Sequence, residues 1–364
     1  MSEQLLFTAA TNFEAARRLS LAPETHPSRY LHGHSFLAKI RVPGNSAWSN
    51  FPGDEVAALR RHLVRAVAPL DYADLNRTLD QPTDENLARW VRERLNLPEI
   101  YGVGIQSTPY AGVDLDHSQH AHIWRRYVFH SAHQLPKVAP GHKCGRMHGH
   151  GFEVILHADH GPHPRQSSSE HDRLDRLWAP LHAELDHACL NDIPGLENPT
   201  SEMICMWLWR RLKSELPELC SVTVYETATC GAYFDGHDYR IWKESALDSA
   251  LRLTRAPAGD PRRRIHGHTY ILRLHLHAPL DEIMGWTIDF GDVKDRFTPI
   301  FLELDHQPLH ELLADRDPDV ATLANWIRQA TTNVLPHLER VDLYETPGCG
   351  AILSWGNGGA ALPI

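Results

Sequence analysis

The chain has 364 residues, a formal net charge of −10, 42% hydrophobic and 23% charged residues, the balance of a folded globular protein long enough for two or three domains. The acidic excess argues against nucleic acid or an anionic membrane as main partner, and no apolar run approaches the roughly 20 residues of a membrane span. The opening segment MSEQLLFTAATNFEAARRL has neither a basic start nor a long apolar stretch, and the six cysteines fall in no regular spacing, so reduced thiols in a cytoplasm are expected.

Reading from the N-terminus, the first landmark is His32-Gly33-His34, which opens the alternating run SFLAKIRV at 35–42. Period-two alternation of this length predicts a half-buried strand. LDY at 70–72, the helix start QPT at 81–83, Trp90 and QST at 106–108 follow. The series then repeats. The strand WRRYVFHSAHQL at 124–135 leads to His148-Gly149-His150 and GFEVILHA at 151–158; LDH at 185–187, NPT at 198–200, a helix containing Trp207 and the strand SVTVYET at 221–227 come next. A third round runs through His266-Gly267-His268, TYILRLHLHA at 269–278, the helical stretch VKDRFTPIFLEL at 293–304, LDH at 304–306, DPD at 317–319, Trp326 and YET at 344–346. The HGH triplets are 116 and 118 residues apart, and the LD pairs 115 and 119. Five landmarks in one order at one period mean internal triplication. Units at 1–117, 118–237 and 238–364 are predicted, each ββααββ: an α+β class with helices on one face of an antiparallel sheet.

Residues i and i+2 of a strand share a face, so His148 and His150 project together, and His133 on the preceding strand is placed to join them. Three histidines with an open position is the arrangement of catalytic zinc. Cys144, four residues before His148, is on this pattern either a fourth ligand or a reactive thiol.

AHQLPKVAPGHKCGRMHGHGFEV at 132–154, LDHACLNDIPGLENPTSEM at 185–203 and VYETATCGAY at 224–233 resemble the 6-carboxy-tetrahydropterin synthase branch of the 6-pyruvoyl-tetrahydropterin synthase family. The resemblance is dense in the middle unit and diluted in the other two. It implies the tunnelling fold (T-fold), with three units closing a pseudo-trimeric antiparallel β-barrel and helices outside. It also implies two stacked rings, here a homodimer of pseudo-trimers, and a small-molecule pterin substrate with no nucleic acid or membrane partner. His133, His148 and His150 would hold Zn2+, with Cys144 as general base, its pKa depressed by the metal and a neighbouring histidine. Asp186-His187 or Asp305-His306 would relay protons, and Glu226 or Glu345, with Thr200, would bind the pterin. The implied reaction turns 7,8-dihydroneopterin triphosphate into 6-carboxy-tetrahydropterin, acetaldehyde and triphosphate, for 7-deazaguanine and queuosine synthesis. Two rival readings are a pyruvoyl- or sepiapterin-handling enzyme and a catalytically silent pterin- or purine-binding scaffold.

The outer units depart from the pattern. The first has Arg17 at the position of His133, Ser28 for the cysteine, Tyr72 for the relay histidine and Ser107 for the glutamate. A guanidinium cannot ligate zinc and repels it. The third has Leu251 and Arg262 at the ligand and cysteine positions, yet keeps Asp305, His306, Glu345 and the family-like GWTIDFGDVK at 285–294, which the middle unit replaces with GPHPRQSSSEHDRL at 161–174. The expectation is that unit two builds the metal half and unit three lends it the Asp305-His306 pair and Glu345.

Overall fold

The alternating runs become the wall of a closed barrel in a computed structural model, which describes residues 3–44, 48–159, 167–281 and 283–356. Unit one contributes β1 (Gln4–Arg17), β2 (His32–Pro43), α1 (Glu55–Val67), a two-residue β3 (Ala73–Asp74), α2 (Asp84–Arg94), β4 (Gly102–Thr108) and β5 (Ala111–Leu115). Unit two adds β6 (Ala121–His133), β7 (His148–Asp159), α3 (Ser167–Leu185), α4 (Ser201–Leu212), β8 (Leu219–Thr227) and β9 (Cys230–Phe234). Unit three adds β10 (Tyr239–Leu251), β11 (His266–His277), α5 (Phe290–Leu304), the single turn α6 (Leu309–Leu312), α7 (Val320–Thr331), β12 (Leu338–Thr346) and β13 (Cys349–Ser354).

Twelve strands pair antiparallel around the ring in chain order, β3 being only a parallel bridge on β1. β13 returns to β1 from Gln4↔Ser354 to Thr8↔Gly350. Closure leaves no open sheet edge, the physical reason for three units in one chain.

One face of each strand packs under the helices. Phe13 stacks on Phe36 and Phe129 on Phe152, beneath helix residues such as Leu59, Leu63, Trp178 and Leu208 in one continuous core. Trp90 and Trp207 are buried in it, and Trp326 packs half-buried at its margin. The alternate residues turn inward, around an axial cavity of about 820 Å³. Their charges are matched across strands: Arg126 with Glu153 at 3.1 Å, Arg273 with Glu244 at 2.7 Å, and Arg240 with Glu339 at 2.6 Å. The polar half of the alternation therefore faces a charge-paired lumen. No helix among the described residues is long and apolar enough to cross a membrane.

The β6–β7 hairpin runs from His122↔Asp159 to His133↔His148, whereas β8 joins β7 only from Glu153 onward. The HGH end of the hairpin thus projects beyond its neighbour, and there the site lies.

Candidate active site and metal centre

His133 pairs directly with His148 across the β6–β7 ladder, and Ser131 with His150. One nitrogen from each of His133, His148 and His150 lies within 4.8 Å of the others, the one such cluster among the described residues. Gly149 permits this closeness, because a Cβ there would meet the Ser131 carbonyl at 3.1 Å. Two tautomers are fixed by carbonyl groups, which can only accept: His133 Nδ1–H donates to Pro199 O at 3.0 Å and His148 Nδ1–H to Arg146 O at 2.7 Å. Each Nε2 is left with its lone pair free, as a metal ligand requires. His133 Nε2 and His150 Nε2 are buried without a hydrogen-bond partner, and burial holds both rings below the usual histidine range, in the neutral form that ligates. Three imidazoles with no fourth protein ligand among the described residues fit a metal ion with an open position.

His148 and His150 of the cluster line a cavity of about 740 Å³ at the junction of units two and three, with His133 buried behind them; Cys144, Thr200, Glu202 and Glu226 and, from unit three, Lys243, Trp286 and Asp289 line it also. Cys144 sits in a short turn whose shape is set by His142, with Nδ1 accepting the Cys144 backbone N–H at 3.2 Å. The thiol shares the cavity with the histidines but is not part of their cluster. Burial, and then the charge of Glu226, push the thiol up, with Lys143 opposing. The protein's own groups do not make it acidic.

Glu226 accepts a hydrogen bond from Ser201 Oγ at 2.8 Å and lies 3.5 Å from His150 Nε2. Beside it, Glu202 is buried, and burial pushes its carboxyl up to about 7. Sequence reasoning missed Glu202, which reads as an ordinary acidic residue in a first helical turn. Thr200 lines the cavity, but its hydroxyl is already engaged, capping α4 through Met203 N–H and donating to Gly285 O. Asn198 Nδ2 donates to Met284 O at 2.6 Å, and Glu202 accepts from Thr287 N–H and Oγ at 2.8 and 3.0 Å. Alternate residues of unit two thus clamp the unit-three segment around Met284–Thr287. The retention of GWTIDFGDVK in unit three follows, since that segment walls the cavity of unit two.

The chain itself brings neither relay pair to this cavity. Asp186 accepts from His130 N–H at 2.8 Å and from His187 Nδ1 at 2.7 Å, and the His187 side chain is 80% exposed. Asp305 accepts from Asp248 N–H at 3.0 Å and from His306 Nδ1 at 2.8 Å, and the His306 side chain is 76% exposed. The Asp305 hydrogen bond raises the His306 pKa. His187, His306 and Tyr72 all hold left-handed backbone, at φ 57°, 57° and 53°. Such a conformation costs roughly 1–3 kcal/mol in a non-glycine residue, so the turn is kept even where the histidine is gone. Within one chain, unit three brings Lys243 and the Trp286–Lys294 segment to this cavity, while its Asp305-His306 pair does not line it.

Glu345 also lies elsewhere, against unit one. Burial pushes it up to about 7, with Arg262 opposing and Asp319 and Glu55 reinforcing. A carboxyl held protonated in the fold above its ordinary 4.5 costs stability as pH rises through that interval. Glu345→Gln is therefore expected to gain on the parent between about pH 5 and 8, by on the order of 3 kcal/mol in denaturant titrations. A difference independent of pH would show that Glu345 ionises normally.

The outer units have filled their sites with ion pairs. Arg17 Nη1 lies 2.6 Å from Asp84 Oδ1 with both side chains buried, and Arg17 Nη2 lies 3.5 Å from His34 Nε2. Ser107 Oγ donates to the other Asp84 oxygen at 2.7 Å. A fixed cation stands against His34, whose pKa burial and Arg17 lower to about 4. In unit three Arg262 bonds Asp260 at 2.8 Å and Asp54 of unit one at 3.0 Å, and Leu251 is buried. Arg17→Met should cost about 3–5 kcal/mol, because it strands the buried Asp84 charge. An unchanged denaturation midpoint would mean Asp84 is solvated or protonated.

The sequence profile described as 6-pyruvoyl tetrahydropterin synthase matches this chain three times, over residues 7–110, 122–237 and 240–355. A 6-carboxy-5,6,7,8-tetrahydropterin synthase of Synechocystis sp. is 35% identical over 119 residues, which is 31% of this chain and 91% of that protein. A dihydroneopterin monophosphate aldolase of Pyrococcus furiosus is 36% identical over 70 residues, which is 19% of this chain and 60% of that protein. Among solved structures, the 6-pyruvoyl tetrahydropterin synthase of Caenorhabditis elegans has a TM-score of 0.30 at 17% identity, covering 32% of this chain and 95% of that one.

Proposed function

The chain belongs to the 6-pyruvoyl tetrahydropterin synthase family, and from that premise we propose that it is a 6-carboxy-tetrahydropterin synthase with one working site per chain, in the middle unit. The observation that carries this reading is the convergence of His148, His150, Cys144 and Glu226 on one cavity, with His133 buried behind it as the third member of the histidine cluster. The substrates are 7,8-dihydroneopterin triphosphate and water, the products are 6-carboxy-tetrahydropterin, acetaldehyde and triphosphate, and the consuming pathway is 7-deazaguanine synthesis in a cytoplasm.

His133, His148 and His150 hold Zn2+, which when bound supplies Lewis-acid polarisation of the substrate's side-chain oxygens. Glu226 and Glu202 receive the N–H donors of the amino-pyrimidine edge. A buried carboxylate such as Glu202 gains most from a two-donor partner, which offsets its desolvation. Cys144, once ionised, takes the proton from the side-chain carbon. Lys143 favours that ionisation.

The relay histidine then comes from a second copy of the chain. His187 and His306 are largely exposed on turns bonded to the protruding hairpins, and a second ring stacked on that end would meet them. The expected assembly is a homodimer of pseudo-trimers.

The test is incubation of zinc-loaded protein with dihydroneopterin triphosphate, with products identified by mass spectrometry. The 6-carboxy product with acetaldehyde supports the reading. A 6-pyruvoyl product, turnover of the monophosphate alone, or binding without turnover replaces it with one of the other readings.

A further inference from the structure

Each unit enters its HGH strand through a short turn, and the residue capping that turn accepts the backbone N–H two places on. His26 accepts from Ser28 at 3.2 Å, His142 from Cys144 at 3.2 Å and Asp260 from Arg262 at 2.9 Å. Asp260 shows that the cap itself needs no imidazole. A ring nitrogen that accepts carries no proton, so the proton of His26 and of His142 sits on Nε2. In both, Nε2 faces a carboxylate of the next unit: His26 lies 3.3 Å from Asp172 of unit two, and His142 lies 3.6 Å from Asp289 of unit three, beside the Trp286 ring. In unit one the residue at the cysteine position completes the row. Ser28 Oγ lies 2.5 Å from His26 Nδ1 and is the donor, since that nitrogen has no proton to give.

We propose that Cys144, His142 and Asp289 form the corresponding row across the junction of units two and three, in which His142 accepts the thiol proton and so prepares Cys144 as base. In the structure, His142 Nδ1 takes the Cys144 backbone N–H. A turn about the Cys144 Cα–Cβ bond carries Sγ toward the place that Ser28 Oγ holds in unit one. The S–H bond then breaks and an Nδ1–H bond forms, and the long cap bond from the backbone N–H is given up in the exchange. An imidazolium is left between the thiolate and the Asp289 carboxylate, with no change in net charge. Until that contact is made the thiol stays protonated, because burial and the charges of Glu226 and Asp289 push it up against Lys143. His142 is thus a positioning residue, acting through Cys144. It is distinct from His187 and His306, which are exposed and outside the cavity lining, and which are left for the substrate's own oxygens. This role for His142 rests on the reading of Cys144 as the base of pterin chemistry.

The test is alkylation of Cys144 by iodoacetamide in the zinc-loaded protein, read at the Cys144 peptide by mass spectrometry between about pH 6 and 10, in the parent, His142→Asn and Asp289→Asn. Asp289 caps α5 by accepting from Gly291 and Asp292 N–H. Asparagine caps that helix and the Cys144 turn equally well through its side-chain oxygen, so both variants are expected to fold and hold metal. It takes up no proton and carries no charge. Near neutrality His142→Asn should react about tenfold or more slowly than the parent, and the deficit should narrow toward about pH 10, where the thiol ionises unaided. Asp289→Asn should be slowed over the same pH range, and kcat should fall in both with KM within about twofold. Equal rates near neutrality, or a deficit constant across the range, would overturn the assignment and leave His142 a cap alone. Should His142→Asn not fold, the Asp289→Asn profile decides by the same criterion. A pH-dependent deficit in a protein without pterin turnover would leave the row standing and remove the pterin reading.

Discussion

Cys144→Ala is expected to fold, to retain its metal and to lose turnover by about 10²–10⁴-fold, the range for a removed acid–base group. The turn around Cys144 is shaped by its backbone N–H bonding His142, which alanine preserves. Metal retention follows because the clustered nitrogens belong to His133, His148 and His150 alone, two of them held in the ligating tautomer by backbone carbonyls. Elemental analysis beside steady-state kinetics checks both halves. Loss of metal together with the thiol would make Cys144 a ligand and end its assignment as base. Conversely, His133→Ala should lose most of the metal, since two imidazoles leave coordination to water.

Activity is expected to return when two inactive chains are combined. Cys144→Ala keeps both exposed Asp-His pairs, whereas His187→Ala/His306→Ala keeps the metal cluster, the thiol and the carboxylates. If the relay group is supplied across a ring–ring interface, each homodimer is nearly inactive, while a heterodimer holds one complete site. A statistical mixture then recovers about a quarter of the parent activity, half its dimers having one of two sites. Co-purification through two affinity tags isolates the heterodimer. A verified heterodimer with no recovered activity would place the relay within one chain. The single variants His187→Ala and His306→Ala then identify the working pair.

Much of the fold was legible because repetition multiplies weak signals. One HGH beside an alternating run says little; three at nearly one spacing, with helix starts and YET-type strand ends in register, specify three like units that close on one another. The metal cluster was legible for a local reason, because the i and i+2 parity of a strand and one hairpin partner suffice to bring His133, His148 and His150 together. What spans units was not. What a unit lends depends on how the ring closes: the retained GWTIDFGDVK segment reaches the cavity of unit two within the chain, whereas the retained Asp305-His306 pair lies outside that cavity. Nor did the sequence reveal that Arg17 substitutes a buried, Asp84-paired cation for the lost site, since only a missing ligand can be read from one position. Glu202 was hidden by its place in a first helical turn, although Glu85 follows Thr83 in unit one as Glu202 follows Thr200.

Metal stoichiometry tests most directly whether one unit alone remains competent. The chain presents a ligating trio in unit two, a guanidinium against His34 in unit one, and a buried Leu251 beside the third HGH. Purified protein saturated with zinc, freed of excess metal and analysed by mass spectrometry of the metal against chain concentration, should hold close to one zinc per chain. Close to three would contradict the account, because HGH with some other ligand would then bind metal in every unit, and Arg17 and Leu251 would have disabled nothing.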